Sequence, residues 1–323
     1  MPNAQCPMPN PKYLRRFNVS NRKLSPFLKV ITIALIAGIS SVGISLLAGT
    51  TKLDRLLGIQ KPKGESAKTS LGRAMSADAH SITPATDQMN EVPKPFQGTI
   101  VYQAKLKANE KVIALTFDDG PGPKNTAQIL EILKKNNIKA TFFMVGEMVK
   151  YFPQIAKQVA ADGHVIANHT WHHWYFRMDE ATAASEIDRT ADIIYKTTGE
   201  KTTLFRPPGG FLNNGLAKYA RNEKYAVMMW SEQSGDAERH SPQVPMLVKN
   251  VLKYAKPGAI VLLHDGGGNR SKSVKALPEM IAGLKAQGYR FVTIPQLLEM
   301  QAQEESAVTA VSSVVTNPEH PDH

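Results

Sequence analysis

From Lys111 to Ile294 the chain repeats one pattern: a short β-branched or aromatic run, then a stretch with apolar residues at helical spacing. The runs occupy residues 111–117, 140–145, 164–168, 202–206, 225–231, 259–264 and 290–294. Between them Ile129, Leu130 and Leu133, and later Ile187, Ile193 and Ile194, keep the helical period, while Gly163, Gly199 and Gly288 stand where helix C-termini place glycine. A helix after each strand returns the chain to the same end of the sheet, so the strands must run parallel. Seven strands within about 185 residues predict an α/β fold, an irregular (β/α) barrel with about seven parallel strands.

Ahead of this domain, residues 30–49 (VITIALIAGISSVGISLLAG) contain no charge. A helix of that length spans about 30 Å, one bilayer core. Lys12, Arg15, Arg16, Arg22, Lys23 and Lys29 all precede it, and no acid does. Basic residues stay on the cytoplasmic side, so everything after residue 50 is expected outside the membrane. A single-pass anchor is the expectation, because cleavable signals have shorter apolar cores and small residues at the cleavage site; secretion after cleavage is the alternative. Residues 50–95 read as a flexible linker, 96–300 as the catalytic domain and 301–323 as a disordered acidic tail.

Charge narrows the partners. The net charge is +11, but the densest basic block is the arm before the apolar run. Residues 96–300 carry 26 basic and 19 acidic side chains without a basic stripe interleaved with aromatics, so no nucleic-acid partner is expected. The single cysteine, Cys6, excludes an internal disulfide and any cysteine-cluster metal site. A metal here must use histidine and carboxylate.

Barrel enzymes carry their reactive groups at the C-terminal ends of strands. The first run ends in Asp118 and Asp119, the third in His169 with His172 and His173 just after, and the fourth in Arg206; the fifth leads to Asp236, and the sixth ends in His264 and Asp265. His169 and His173, four residues apart, can bring two imidazoles to one ion, with a carboxylate from the first strand as third ligand. Such a site leaves a coordination position open for hydrolytic chemistry. Of the two adjacent aspartates one can bind metal and the other take a proton, since like charges held together push their pKa values apart. His264 suits the acid that protonates a leaving group, Asp236 can hold its tautomer, and Arg206 can orient the base.

These residues fall into a known order. Thr116-Phe117-Asp118-Asp119-Gly120, His169-Thr170-Trp171-His172-His173, Arg206-Pro207-Pro208 and Leu262-Leu263-His264 resemble the motifs of the polysaccharide deacetylases, the NodB homology domain of carbohydrate esterase family 4. The resemblance implies Asp118 as general base, and Asp119, His169 and His173 as ligands of a divalent metal, commonly Zn2+, with Co2+ or another divalent ion as alternatives. It implies Arg206 as the residue orienting Asp118, His264 as general acid, and a backbone N–H at Pro208-Gly209 facing the oxyanion; His172 is not a ligand in that pattern. Two departures stand out: Gly209-Gly210 replaces an aromatic after the arginine motif, and Asp236-Ala237 replaces an Asp-Trp pair. The first removes one wall of the sugar groove and the second an apolar surface near the acetyl pocket, for which Trp171, Trp174 or Phe211 could substitute.

The implied reaction is removal of an N-acetyl group from an amino-sugar polysaccharide. A basic domain outside a membrane suits an anionic wall polymer, so N-acetylglucosamine of peptidoglycan is the expected substrate. Chitin-type chains, an exopolysaccharide and O-acetylated xylan are the alternatives within the class. From other classes come a non-catalytic polysaccharide-binding module and an iron oxygenase, which also uses two histidines and a carboxylate.

Overall fold

The computed structural model of the chain describes residues 91–315. Among them nine strands form one sheet: β1 (Ile100–Val101), β2 (Val112–Asp118), β3 (Thr141–Met144), β4 (Val165–Asn168), β5 (Leu204–Phe205), β6 (Ala226–Met228), β7 (Glu232–Gln233), β8 (Ala259–His264) and β9 (Arg290–Phe291). The α-helices described are α1 (Asn125–Lys135), α2 (Gly146–Tyr151), α3 (Pro153–Ala161), α4 (Glu180–Thr198), α5 (Leu216–Asn222), α6 (Val244–Tyr254), α7 (Ser271–Ala286) and α8 (Ile294–Val315). Each of the seven expected runs contains a strand. β1 and β7 were not foreseen, because two residues are too few to show a period.

The strands follow the order β1-β6-β5-β4-β3-β2-β8-β7, and every ladder is parallel. Ile113 pairs with Ala259 of β8 and with Phe291 of β9, so those two strands lie on opposite edges of β2. β9 therefore shares an edge with β3, which takes the last residues of β2. The order ends at two-residue strands, β1 and β7, and no ladder joins them. This corrects the expected barrel: the sheet is a curled, open half-barrel.

Burial explains the sequence of the centre. All seven residues of β2 are buried, as befits a strand covered on both faces, and VIALTFD accordingly reads as a nearly continuous apolar run. Ile113, Leu115 and Phe117 join an outer layer with Leu130 and Leu133 of α1, Val248 of α6 and Leu277 of α7. Val112 and Ala114 join a second cluster with Phe143, Ala167, Met228 and Ile260. That cluster draws on strands near both ends of the order, so its face is the concave one.

Ile294, Leu297 and Leu298 of α8 fill the bottom of the concavity together with Val92 and Phe96. Each such side chain contributes about 1.5–3 kcal/mol on burial. Gln301 is also buried, and its Oε1 accepts the Lys105 N–H at 2.8 Å. The expected disordered tail is thus helical from residue 301 as far as Val315, because the preceding turn is anchored in the core. Val92 and Phe96 likewise carry the packed unit into the end of the expected linker. The expected arm at 1–29 and membrane span at 30–49 lie outside the described residues. No helix among the described residues is long and apolar enough to cross a membrane.

Candidate active site

Strand parity carries five polar residues to the concave face. On β2, Thr116 and Asp118 continue the direction of Val112 and Ala114, and on β8 His264 continues that of Ile260. One residue beyond β4, His169 follows Val165 and Ala167; one beyond β5, Arg206 follows Leu204. Because all the strands are parallel, these ends form one rim.

Asp119, His169 and His173 each offer a ligand atom, and the three atoms lie within 4.8 Å of one another. Asp119 Oδ1 is buried and accepts no hydrogen bond, although His173 Nε2 stands at 2.9 Å and His169 Nε2 at 3.5 Å. Close approach without hydrogen-bond geometry is what convergent lone pairs look like, and this donor set fits a divalent cation. His169 Nδ1 donates to the Arg206 carbonyl oxygen at 2.7 Å, which turns the Nε2 lone pair toward the site. Burial acts to raise the pKa of Asp119, but the two imidazoles outweigh it and hold the carboxyl well below its ordinary range. Asp119, Thr170 and His173 adopt φ of 74°, 68° and 59°, left-handed values that L-residues reach only under constraint.

The constraint comes from around the histidine loop. Asn168 Oδ1 accepts the Thr170 N–H at 3.0 Å, and its amide donates to the Ile187 carbonyl. Glu186 of α4, 1 % exposed, accepts the His172 N–H at 2.9 Å with one oxygen and holds His172 Nδ1 at 2.5 Å with the other. His172 thereby points away from the ligand set. Trp171 packs against Gly146 and beneath the Arg189 guanidinium, 4.2 Å from its ring centroid, so it walls no groove.

Arg206 is fully buried. Its Nη1 donates to Asp118 Oδ1 at 2.7 Å and to Thr116 Oγ1 at 2.9 Å, while Nε and Nη2 donate to the carbonyls of Met228 and Met229. The guanidinium lies 3.9 Å over the Phe143 ring. Asp118 Oδ2 is left facing the ligand set, 3.7 Å from His169 Nε2.

On the neighbouring strand, His264 Nδ1 is held by Asp236 Oδ1 at 2.9 Å, and Asp236 Oδ2 accepts the His264 N–H at 2.9 Å and Ser273 Oγ–H at 2.7 Å. Burial works against protonating His264, yet the bond to Asp236 and the charges of Asp236, Asp119 and Asp118 raise its pKa above the ordinary value. The same pairing lowers that of Asp236 against its own burial.

Gly209 and Gly210 lie in a short 3-10 turn, Pro208–Gly210, after Arg206. Gly209 has φ 61°, and a Cβ there would stand 2.9 Å from the rings of Phe211 and Tyr175. A side chain at this position would therefore collide with those two rings. Pro208 has no N–H, so of the expected oxyanion pair only Gly209 can donate.

Four supporting residues were not foreseen. Glu186, Asn168 and Ser273 act through other residues and carry no motif; burial of a polar residue is their only mark, and sequence does not reveal it. Asp265 was visible beside His264 but had no assigned job. It is buried on Gly120, where a Cβ would collide with its carboxylate; Thr126 Oγ1 donates to Oδ2 at 2.6 Å, and Oδ1 has no partner. Burial, against the Thr126 bond and with the charges of Asp119 and Asp118, pushes its pKa up to about 7.

A curled parallel half-barrel with carboxylate, imidazole and guanidinium groups gathered on one rim defines a hydrolase of the (β/α) type. A family model described as polysaccharide deacetylase matches residues 105–228. A peptidoglycan-N-acetylglucosamine deacetylase of Bacillus cereus is 43% identical over 210 residues, 64% of this chain and 96% of its own. The peptidoglycan-N-acetylmuramic acid deacetylase PdaC of Bacillus subtilis is 38% identical over 215 residues, 66% of this chain and 44% of its own. Among solved structures, a CE4 family pseudoenzyme from Bacillus anthracis superimposes with a TM-score of 0.57 at 31% identity, covering 62% of this chain and 69% of that one. The chain belongs to the polysaccharide deacetylase family and is a deacetylase of that class. The family match ends before Asp236 and His264, so their pairing rests on geometry, and a pseudoenzyme on the same fold makes the side chains, not the fold, carry the chemistry.

Proposed function

We propose that this chain removes N-acetyl groups from N-acetylglucosamine units of peptidoglycan, using a zinc ion held by Asp119, His169 and His173. The observation that carries this reading is the convergence of those three donors beside an Asp118–Arg206 pair, with His264, held by Asp236, on the neighbouring strand. When bound, the cation supplies Lewis acidity toward the acetamide oxygen and makes water acidic. Asp118 Oδ2 takes the proton of the attacking water, while Arg206 fixes Oδ1. His264 gives its Nε2 proton to the nitrogen as the C–N bond breaks, leaving acetate and a free amine; Asp236 on Nδ1 favours the imidazolium that must do this. The Gly209 N–H, on the short turn after Arg206, can face the oxygen that gains negative charge.

The names of the Bacillus relatives support peptidoglycan as the polymer, and so does the basic balance of residues 96–300. The uncharged run at 30–49 behind six basic residues supports a place outside a membrane, anchored or released. Acetate release by the full chain from peptidoglycan, chitooligosaccharide and acetylxylan tests the reading, with chelator and Asp118→Asn as controls. Release from peptidoglycan that stops with chelator and with Asp118→Asn is the expected result. Release from acetylxylan alone would overturn the substrate; no release from any, with metal bound, would overturn the activity.

A further inference from the structure

A cavity of about 510 Å³ opens beside the His264–Asp236 pair, lined in part by Asp236, Glu238, Arg239, Ser241, Arg270 and Lys272. Both oxygens of Asp236 are engaged by His264 and Ser273, so its charge is answered there. What the cavity presents is therefore three cations, Arg239, Arg270 and Lys272, against the single carboxylate of Glu238. Arg270 is the partition between this space and the metal donors: Nη1 donates to the Asp236 carbonyl at 3.0 Å, Nε to that of Gly266, and Nη2 stands 3.6 Å from Asp119 Oδ2. Lys272 Nζ is steered by the Ser241 carbonyl at 2.8 Å. Ser241 Oγ, on the same lining, has no hydrogen-bond partner. The first turn of the 16-residue α7 opens onto the same space and adds its partial positive charge.

We propose that this cavity binds a carboxylate carried on the sugar next to the one that loses its acetyl group, and so selects a glycan with lactyl-ether substituents over a neutral one. The proposal rests on the deacetylase reading of the adjoining rim. In a glycan that alternates N-acetylglucosamine with its lactyl ether, the neighbour of a reacting N-acetylglucosamine bears such a carboxylate wherever no peptide is amide-linked to it, so the pocket selects peptide-free stretches of the chain. Guanidinium and ammonium groups hold carboxylates by charge-assisted hydrogen bonds, and the separation of this pocket from the ligand set by one side chain suits an adjacent sugar.

The test is equilibrium binding by the full chain carrying Asp118→Asn, which stops turnover, to a muramyl glycan oligomer with free carboxylates and to the same oligomer methylamidated. Neutral chitooligosaccharide is the third ligand. Methylamidation is expected to weaken binding about tenfold, and adding Arg239→Ala and Lys272→Ala is expected to abolish that difference while leaving the neutral ligand's affinity unchanged. Arg239→Glu alone, at an exposed position, repeats the test should the double variant fold poorly. No effect of methylamidation, or an equal loss for charged and neutral ligands in the variants, overturns the proposal. Acetate release by the unsubstituted chain, measured alongside, keeps the two readings apart. Selective binding with no release sinks the deacetylase reading, whereas release at equal KM from free and methylamidated glycan sinks this pocket alone.

Discussion

Asp118 of β2 and His264 of β8 are register partners on neighbouring parallel strands. Both point to the concave face, so the backbones that carry the group proposed to take a proton and the group proposed to give one lie one strand spacing apart, about 4.8 Å. Each is held by its own partner, Arg206 for Asp118 and Asp236 for His264, and no loop has to move to bring them together. Proton acceptor and donor then act as a unit. Asp118→Asn and His264→Ala should each lower kcat by about 10²–10⁴, and the double variant should be scarcely worse than the poorer single one. Multiplicative losses in a kinetic comparison of the three would contradict this coupling.

Removing the carboxylate charge also strands a buried cation. Arg206 is fully buried and Asp118 is the only anion it bonds among the described residues, so Asp118→Ala should destabilise the fold by about 3–5 kcal/mol. Asp118→Asn keeps an acceptor for Nη1 and should cost less. Urea denaturation of the two variants separates the loss of charge from the loss of the hydrogen bond.

Activity should fall on the alkaline side when His264 deprotonates, and that limb should lie above the ordinary histidine range because Asp236 raises its pKa. Asp236→Asn should move the limb to lower pH. For stability the sign is the same: the folded pKa exceeds the unfolded one of about 6.5, so the contribution is complete below that pH and disappears as pH rises through the folded value. A pH–rate profile of parent and variant decides it; an unmoved alkaline limb would remove His264 from the acid's role.

Asp265 makes the opposite demand on a carboxylate. With a folded pKa near 7 against about 3.9 unfolded, the native chain keeps a proton that the unfolded chain releases. Stability should therefore decline as pH rises from about 4 to about 7, by up to about 4 kcal/mol, and Asp265→Asn should flatten that slope. Thermal melts across pH in chelator read it directly.

Metal removal gives a fifth expectation. Chelator should abolish acetate release and zinc should restore it, while His173→Ala should retain the fold but bind metal at least about tenfold more weakly. Glu186→Ala, which touches no ligand, should also weaken metal binding by loosening the loop of His169 and His173, within the roughly 10–100-fold range typical of supporting residues. Calorimetric titration of zinc into the metal-free variants checks both.

Strand positions and reactive groups were legible because both are local. A run such as AIVLLH names a buried parallel strand, and a histidine at its C-terminal end names a rim residue, without reference to any distant residue. α8 was misread beyond residue 300 because its segment carries little apolar pattern of its own; Leu297, Leu298 and Gln301 dock on strands and loops far away in sequence. β1 and β7 escaped for the same reason, being defined by their ladders rather than by their two residues each.

The sequence by itself determined the residue types, their order and the face each would take, since period-two alternation fixes direction along a strand. Only the tertiary structure decided which groups meet. That Asp118 lies beside His264, that Arg206 spends its carbonyl on His169 and its guanidinium on Asp118, and that Glu186 clamps the histidine loop all depend on strand order and sheet curl. Those follow from the burial of both faces of the sheet at once, a property of the assembled layers that no single stretch of chain contains.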